Sequence, residues 1–507
     1  MAELAARLRA IVGADNVRDD AVALALASTD LFDWPDAATA ELVVRPGSSE
    51  ETAGVLRAVA EARRAVVPRG AGLSYTAGAV SFVPAVVIDT ARLHAIAIDA
   101  GNLVATVGAG TTWAALAERL QPLHLRIAAP APISGSHSTV GGAAAQNLPG
   151  GMDGFVGATV VLVDGTLVRT GSAARRGTSA FWRHHGPDLT GLFLGDCGAF
   201  GVKTELSLRL APEKPADFAS FAFGDAAGLV AALVELMRGQ VVTRGFAMDR
   251  LRARAAAKLE PGEAARTLGA VVARAGSVGQ ALRDTAQLAR VALSPAGSEA
   301  PWALHLTAEA DSERAAAERI AAAREICAAG REIDNVIPKT LRAKPFSVRG
   351  MIGPEGERWV PVHGIVPLTR AVAAMAALES AIADEQRELD RVGLAVNWVV
   401  SSMGAYVTIE PMFYWRDALE PIHLDALSPR NRERFGAFAA NPEGRALARR
   451  LRLRLRDVLD AHDAVHAQIG RFYRFTEQMD DGSAALVRRI KAALDPDGRM
   501  NPGVLGL

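Results

Sequence analysis

Glycine density sets the terms for this chain. Gly135 opens the stretch GSHSTVGGAAAQNLPG. The apolar run FVGATVVLVDG follows at Phe155 to Gly165, and DLTGLFLGDCGAFG closes the stretch at Asp188 to Gly201. Glycines this dense mark backbone that turns sharply or approaches something closely. The apolar runs between them exclude a flexible linker. Two readings remain: a turn-rich α/β domain, or a wall of backbone amides around a large, partly anionic cofactor. A second cluster, PRGAGLSYTAG at Pro68 to Gly78, favours the wall.

At 507 residues the chain is too long for one compact domain, and two or three are expected. Lys+Arg 56 balance Asp+Glu 56, so no overall basic field is present to hold nucleic acid. The Arg-rich run LARRLRLRLR at Leu447 to Arg456 keeps a helical apolar rhythm and reads as the solvated side of a helix. Cys197 and Cys327 make no Cys-x-x-Cys spacing, which excludes cysteine-ligated zinc and ferredoxin-type clusters. The first residues read as an amphipathic helix rather than a signal peptide, and no uncharged run reaches membrane-spanning length. The expected compartment is the cytoplasm, with peripheral membrane attachment left open.

Taken in order, Leu42 to Pro46 reads as a strand, Ser48 or Ser49 caps a helix, and AVVPRG is a second strand. This β-α-β unit delivers Pro68 to Gly78 at a strand end, where ligand loops commonly sit. Strand and hairpin material follows over residues 85–110, turned at Asp99 to Asn102. A helix ends near Gln121-Pro122, and TELSLRLAP alternates as a strand. Glycine density falls from Glu213. Beyond it, strands and helices alternate: a strand at ADFASFAFG, a helix at residues 225–238, strand plus helix from Val241, a loop at Ser294 to Ser298, a strand at Pro301 to Ala310 and a helix after Asp311. An irregular stretch is expected over Arg331 to Glu357, a helix over Thr369 to about Leu389, and a hairpin over Leu394 to Trp415 turned at Ser401 to Gly404. The C-terminal part reads as mostly helical, including Asp460 to Phe475, and ends in a loop held against the body. The expected class is α+β. Residues 1–212 form a first domain of two subdomains split near 95, residues 213–455 an α+β cap with an antiparallel sheet, and residues 456–507 a helical segment returning to the first domain.

With both glycine clusters and the tail in hand, the chain resembles the FAD-binding oxidoreductases of the vanillyl-alcohol oxidase and p-cresol methylhydroxylase superfamily. Its D-lactate, glycolate and D-2-hydroxyglutarate dehydrogenase branch looks closest. The resemblance rests on Pro68-Arg69-Gly70-Ala71-Gly72, on Val140-Gly141-Gly142 with Asn147, on Asp188 to Phe193 running into Gly198 to Gly201, and on Leu494-Asp495-Pro496 with Met500-Asn501-Pro502-Gly503. It implies a two-subdomain FAD-binding domain of the p-cresol methylhydroxylase type. The implied FAD contacts are Pro68, Arg69, Gly70, Ala71, Gly72, Leu73 and Ser74, then Ser136, Thr139, Val140, Gly141, Gly142 and Asn147, then Gly198, Gly201, Val202 and Asn501. The chemistry agrees, because glycines let consecutive N–H groups converge on a diphosphate. No G-x-G-x-x-G opens a helix after the first strand with an acid about twenty residues on, so a nicotinamide cofactor is not indicated. The first loop holds no histidine, which excludes covalent FAD attachment there. Attachment through His363, Tyr406, Tyr414 or His423 stays open.

Oxidising an alcohol carbon needs an acceptor for the hydroxyl proton and a cation that fixes the substrate. His462 and His466, four apart, are expected on one helix face. The resembled branch has Glu-His-Gly-Ile-Gly where this chain reads His466-Ala467-Gln468-Ile469-Gly470, with the acid a metal ligand. A plain surface pair is the alternative reading. The branch's His-x-Gly-Asp-Gly-Asn-x-His run is missing. Glu410 and His363 are each set among apolar residues, and a buried carboxylate is costly unless paired. A metal held by His363, Glu410, His423 and His466 is chemically conceivable, but none is assigned. Tyr473-Arg474 is similar to the pair with which the phenol-oxidising branch holds a phenolate, and arginine equally holds a carboxylate. Arg349 and Lys344 are further anchors, and Phe413, Tyr414, Trp415, Phe472 and Tyr473 could line an apolar pocket. The catalytic candidates are thus His466, His423, Tyr473, Arg474, Glu410 and His363. The expected activity is FAD-dependent oxidation of a small 2-hydroxy acid, with a para-substituted phenol or aromatic alcohol, or a non-catalytic flavin-binding protein, as alternatives. The expected partners are a small-molecule substrate and an electron acceptor (oxygen, a quinone, a cytochrome or an electron-transfer flavoprotein), with a homodimer open and no nucleic acid.

Overall fold

The structure, a computed structural model, describes residues 1–148, 151–250, 300–346 and 351–507, together with 269, 282, 285 and 286. The chain forms two compact units. The first is Met1–Glu213 with Leu419–Arg432 and Ala467–Leu507; the second is Lys214–Ala418 with Glu433–His466. The late division differs from the expected 455/456. The helix Pro442–Asp460 runs unbroken through that point, and the second unit continues to His466. Leu419–Arg432, expected in the cap, belongs to the first unit, where the helix Pro421–Asp425 packs on the helix Ala21–Ala27.

In the first unit, β1 (Val17–Arg18), β2 (Leu42–Val44), β3 (Ala65–Arg69) and β4 (Ala85–Asp89) form a sheet in the order β1-β2-β4-β3, parallel except at β1. The helix Ser49–Glu61 starts where Ser48 Oγ accepts the Glu51 N–H at 3.0 Å, and lays Val55, Leu56 and Val59 on one face of this sheet. Parallel β-α-β crossovers leave the strand ends free to carry loops. Arg69 ends β3, so the loop 70–78 starts at such an end.

A second sheet holds β5 (Ile96–Asp99), β6 (Val104–Gly108), β7 (Leu125–Ile127), β8 (Phe155–Val161), β9 (Leu167–Arg169) and β10 (Val202–Pro212) in the order β5-β6-β10-β8-β9, with β7 also on β10. Its hairpin turns where expected, Asp99 Oδ1 accepting the Asn102 N–H at 2.9 Å. All of Phe155–Val161 is buried, and the partner strands β6 and β10 are mostly buried, which is why these segments read as near-continuous apolar runs.

In the second unit, β11 (Ala216–Phe223), β12 (Arg244–Asp249), β13 (Trp302–Glu309), β14 (Arg331–Ile333), β15 (Arg358–Pro361), β16 (Gly364–Pro367), β17 (Leu394–Gly404) and β18 (Tyr406–Trp415) make one antiparallel sheet. The order is β14-β11-β13-β12-β17-β18-β15, with β16 also on β18. The helices Ala226–Arg238, Glu313–Ile326 and Ala371–Ala383 are packed together over one face. The first two are capped by Asp225 and Ser312.

Three expectations about the second unit change. The irregular stretch 331–357 contains β14 and the helix Val336–Ala343. The helix expected over 369–389 is two, Ala371–Ala383 and Gln386–Val392. The hairpin turns at Gly404–Tyr406, after a register shift between Ser401 and Gly404. The helix part of the segment after Val241 and the loop at Ser294 to Ser298 lie outside the described residues, as does Arg349.

The largest correction is over 460–475. The helix stops at Asp460, and no helix follows until Asp481–Leu494. Val465 pairs with Ile365 as an isolated bridge. Asp463, Gln468 and Gly470 take φ values of 60, 49 and 57, which a helix cannot contain. Gly470 lies against Thr76, whose carbonyl oxygen would sit 2.1 Å from an added Cβ. His462 and His466 therefore share no helix face.

Candidate functional site

The cradle in the first unit is built from four segments. The loop after β3 supplies four consecutive N–H groups, Gly70 to Leu73, that take no protein acceptor among the described residues. Gly70 packs against Thr139, whose Oγ1 would lie 2.5 Å from an added Cβ. Thr139 Oγ1 accepts the Gly142 N–H at 3.1 Å and so starts the short helix Val140–Ala145. The two glycine clusters thus meet where Gly70 backs onto the Thr139 hydroxyl. The third segment docks behind them: Gly195 and Cys197 donate to the carbonyls of Ala144 and Ala145, each at 2.8 Å.

The tail is the fourth segment. Met500 bridges Val66 of β3, and the Asn501 N–H donates to the Val66 carbonyl at 2.7 Å. Asn501 is wholly buried, with its Nδ2 donating to Gly78 O at 2.8 Å and to Cys197 O at 2.7 Å. Arg471 completes this knot. Its guanidinium donates to Asn501 Oδ1 at 2.8 Å, Pro502 O at 2.6 Å and Ala77 O at 2.5 Å. Burial holds its pKa down at about 10. Lys491 Nζ donates to Ala199 O, Met500 O and Asp495, tying the third segment to the tail. Gln468 joins from the other side, its N–H on Gln146 O at 2.5 Å and its Nε2 on the Tyr75 hydroxyl at 2.9 Å. Cys197 sits at φ 48 among these groups, and burial pushes its thiol up to about 12, so it stays protonated.

The expected FAD contacts fall into two sorts. Gly70, Ala71, Gly72, Leu73, Ser74, Thr139, Val140, Gly141, Gly142, Asn147, Gly198 and Asn501 belong to the four segments just described. Asn147, at φ 52, packs against Gly195, and Gly198 packs against Pro68. Ser136 Oγ is bonded to its neighbour His137. Arg69 turns inward: its guanidinium reaches Ala27 O and Ala79 O at 3.4 and 3.5 Å, lies against Gly72, and has its pKa lowered by burial. Gly201 packs on Val160, and Val202 is wholly buried in the core. The Arg69 and Val202 side chains are thus buried in the body of the unit, and Gly201 lets its backbone pass close to Val160.

Of the catalytic candidates, His423, Tyr473 and Arg474 lie in the first unit. His423 is wholly buried, and its Nδ1 accepts the Glu420 N–H at 3.2 Å, capping its own short helix. Tyr473 is buried with its ring edge-on to Phe472 at 4.8 Å. His466, Glu410 and His363 lie in the second unit. His466 has both ring nitrogens engaged, Nε2 with Asp460 at 2.7 Å and Nδ1 with His363 O at 2.8 Å. Both nitrogens thus face protein oxygens, so its geometry is that of a brace between the helix end and the segment that leads into β16. His363 is buried, and burial drops its pKa to about 3. Among the described residues no group of three or more His, Cys, Asp or Glu is placed to hold a metal ion, so His363, Glu410, His423 and His466 form no such set.

Glu410 is on the sheet face opposite the three packed helices. A row crosses that face through Ser220, His305, Phe246, Ser401 and Thr408, each opposite the next in register. Glu410 stands one step along, opposite Val399. Phe246, Trp359, Val399, Met412 and Tyr414 form an apolar cluster there, with Trp359 stacked on Tyr414. Sequence reasoning missed His305, which is buried, bonded to Ser220 Oγ at 2.8 Å through Nδ1, and pushed down to about 3 by burial. It also missed Arg471 and Lys491. The i,i+4 pair Lys491–Asp495 was the one signal in the sequence for either.

Comparison with known proteins agrees with this geometry. Residues 40–171 match the model of an FAD binding domain, and residues 471–505 that of the FAD linked oxidases, C-terminal domain. The glycolate oxidase subunit GlcD of Bacillus subtilis is 30% identical over 183 residues, 34% of this chain and 37% of that protein. D-lactate dehydrogenase of Archaeoglobus fulgidus is 30% identical over 190 residues, 35% of this chain and 40% of that one. The match thus spans about two fifths of the length of these relatives. The crystal structure of p-cresol methylhydroxylase with substrate bound superposes with a TM-score of 0.73 at 16% identity, over 100% of this chain and 96% of that one. The first unit is an FAD-binding domain. In fold the chain is similar to p-cresol methylhydroxylase, and the two stretches that match the family models both lie in the first unit. The matched residues include the loop 70–78, the helix Val140–Ala145 and the Arg471–Asn501 knot, and the free amides of the first loop suit the cofactor's diphosphate. No helix among the described residues is long and apolar enough to cross a membrane.

Proposed function

We propose that the chain is an FAD-dependent oxidoreductase that removes a hydride from a hydroxyl-bearing carbon. The observation that carries the reading is the cradle: four free backbone amides on a loop braced by Thr139 and closed by the buried Asn501–Arg471 knot. Bound FAD would supply the hydride acceptor. For the hydroxyl proton we put forward Glu410, since it stands partly exposed on the sheet face that carries Thr408 and Ser401. Arg474 would anchor the substrate's anionic group.

For the substrate, a small 2-hydroxy acid is supported by the glycolate and D-lactate in the names of the two relatives. A para-substituted phenol or aromatic alcohol is a second reading, favoured by the apolar cluster of Phe246, Trp359 and Tyr414 on the face that carries Glu410, and by Tyr473 beside Arg474. The test is spectroscopic. The purified protein should show flavin absorbance, and acid precipitation will tell released from covalent FAD. Anaerobic bleaching by D-lactate or by 4-hydroxybenzyl alcohol separates the two substrates. Glu410→Gln should slow bleaching by at least about 100-fold, and Tyr473→Phe should impair it with the phenol alone. A preparation with no flavin and no FAD uptake would refute the proposal. Bound FAD that no donor bleaches would mark a non-catalytic flavin-binding protein.

A further inference from the structure

Within the first unit, the segment from Ser172 to Leu189 presents two aromatic rings to solvent. Phe181 is 54% exposed and Trp182 51%; among the described residues they are the only exposed Phe or Trp. Leu189, 42% exposed, lies farther along the same segment. Elsewhere the chain buries its aromatics well: Trp113, Phe155, Phe413 and Trp415 are all under 2% exposed.

The exposure does not come from a loose loop. Ser172 closes it like a clasp. Its Oγ donates to Ser179 O at 2.7 Å and accepts the N–H groups of Phe181 and Trp182 at 2.9 and 3.2 Å, while its own N–H donates to Trp182 O at 2.7 Å. On the far side Arg183 is paired with Asp188 and donates to Met152 O at 2.9 Å. Gly171, at φ 63, lies where a Cβ would meet Trp182 O at 2.8 Å, so the chain keeps a glycine to seat the clasp. Two rings are therefore held outward by a pinned backbone, with little ordering left to do on contact.

Along the segment itself the charge is mostly basic, while the exposed Asp99 shares a shallow pocket with Phe181. Arg175, Arg176, His184 and His185 are all exposed. The single acid between Ser172 and Leu189, Asp188, is taken by Arg183. The chain as a whole is neutral, so this is a local basic patch on a balanced background. The two rings offer roughly 200 Å² in sum, taking half of ~200 Å² each. That falls well below the ~800 Å² per partner of a specific protein interface. It matches instead what an interfacial anchor needs: amphipathic rings at headgroup depth with basic residues beside them.

We propose that the Phe181–Trp182 loop is a membrane-docking element that seats this protein reversibly on an anionic lipid surface. The rings enter the headgroup layer and Arg175 and Arg176 face the lipid phosphates. The attachment is peripheral, and salt weakens it, because exposed charges are screened. The proposal goes beyond the redox reading and stands apart from it: lipid binding is measured without turnover.

The test is cosedimentation of the whole flavoprotein with vesicles of phosphatidylglycerol in phosphatidylcholine, against phosphatidylcholine alone, at low and high salt. Binding is expected to the anionic vesicles at low salt, with Arg175→Gln and Arg176→Gln each lowering the partition coefficient roughly fivefold. Phe181→Ser with Trp182→Ser should abolish it while the visible flavin spectrum stays that of the parent, which shows the fold intact. Three results would overturn the proposal: no binding to anionic vesicles at low salt, binding that survives the serine pair undiminished, or a patch whose variants change only self-association or the binding of a soluble acidic acceptor protein.

Discussion

Asn501 offers the sharpest test of how the cradle is held. Its side chain makes three buried hydrogen bonds, to Gly78 O, Cys197 O and the Arg471 guanidinium. Asn501→Ala removes all three. The two neutral bonds contribute ~1 kcal/mol each and the charge-assisted one ~2 kcal/mol. Position 501 sits at φ 45, where alanine costs ~1 kcal/mol more than asparagine. The sum is ~5 kcal/mol. Partial relaxation brings the expected loss to ~4 kcal/mol, a large share of the ~5–15 kcal/mol that domains have in all. In urea, with a slope of ~3 kcal/mol/M, the unfolding midpoint of the first unit should fall by ~1.3 M. Following flavin fluorescence and circular dichroism together reads cofactor loss against unfolding. Because Asn501 ties the loop ending at Gly78 to Cys197, FAD affinity should fall at least tenfold. A double-mutant cycle with Arg471→Met should give a coupling of ~2 kcal/mol between the two side chains. If Asn501→Ala costs under ~1 kcal/mol, or the coupling is nil, the knot is not what holds these segments.

Two further outcomes follow from the geometry. Gly70→Ala drives a Cβ to within 2.5 Å of Thr139 Oγ1 and displaces the cap of the helix Val140–Ala145; stability should drop by ~1 kcal/mol and FAD titration should show at least tenfold weaker binding. His305 and His363 are buried neutral with pKa values of about 3, against ~6.5 in the unfolded chain. Protons therefore bind the unfolded state better. The second unit should keep its full stability above pH ~6.5 and lose it as pH falls towards 3, with a slope approaching ~1.4 kcal/mol per pH unit for each histidine. His305→Phe should flatten that slope in calorimetric scans; an unchanged slope would contradict the burial argument.

Much of this protein is written in local sequence. Ser48, Asp225 and Ser312 announce helix starts because a cap needs only the next three residues. The Asp99–Asn102 turn and the alternating strands are equally local, and so is the glycine density that marks the cradle. The helix expected over 460–475 fails for the opposite reason. Its apolar spacing suits a helix, but the bridge from Val465 to Ile365 and the contact of Gly470 with Thr76 lie 100 and 394 positions away, and those partners set the backbone. His466 looked like a base for the same reason, since nothing nearby in sequence reveals that His363 O and Asp460 occupy both its nitrogens. Asn501 enters the sequence reading as an implied FAD contact in a C-terminal loop, and only folding brings it to Val66, Gly78 and Cys197. The sequence by itself determined the locally capped and turned elements and the kind of cofactor, because caps, turns and glycine-lined amides act over a few residues. The tertiary structure decided which side chains are left for chemistry, because that depends on partners hundreds of residues apart.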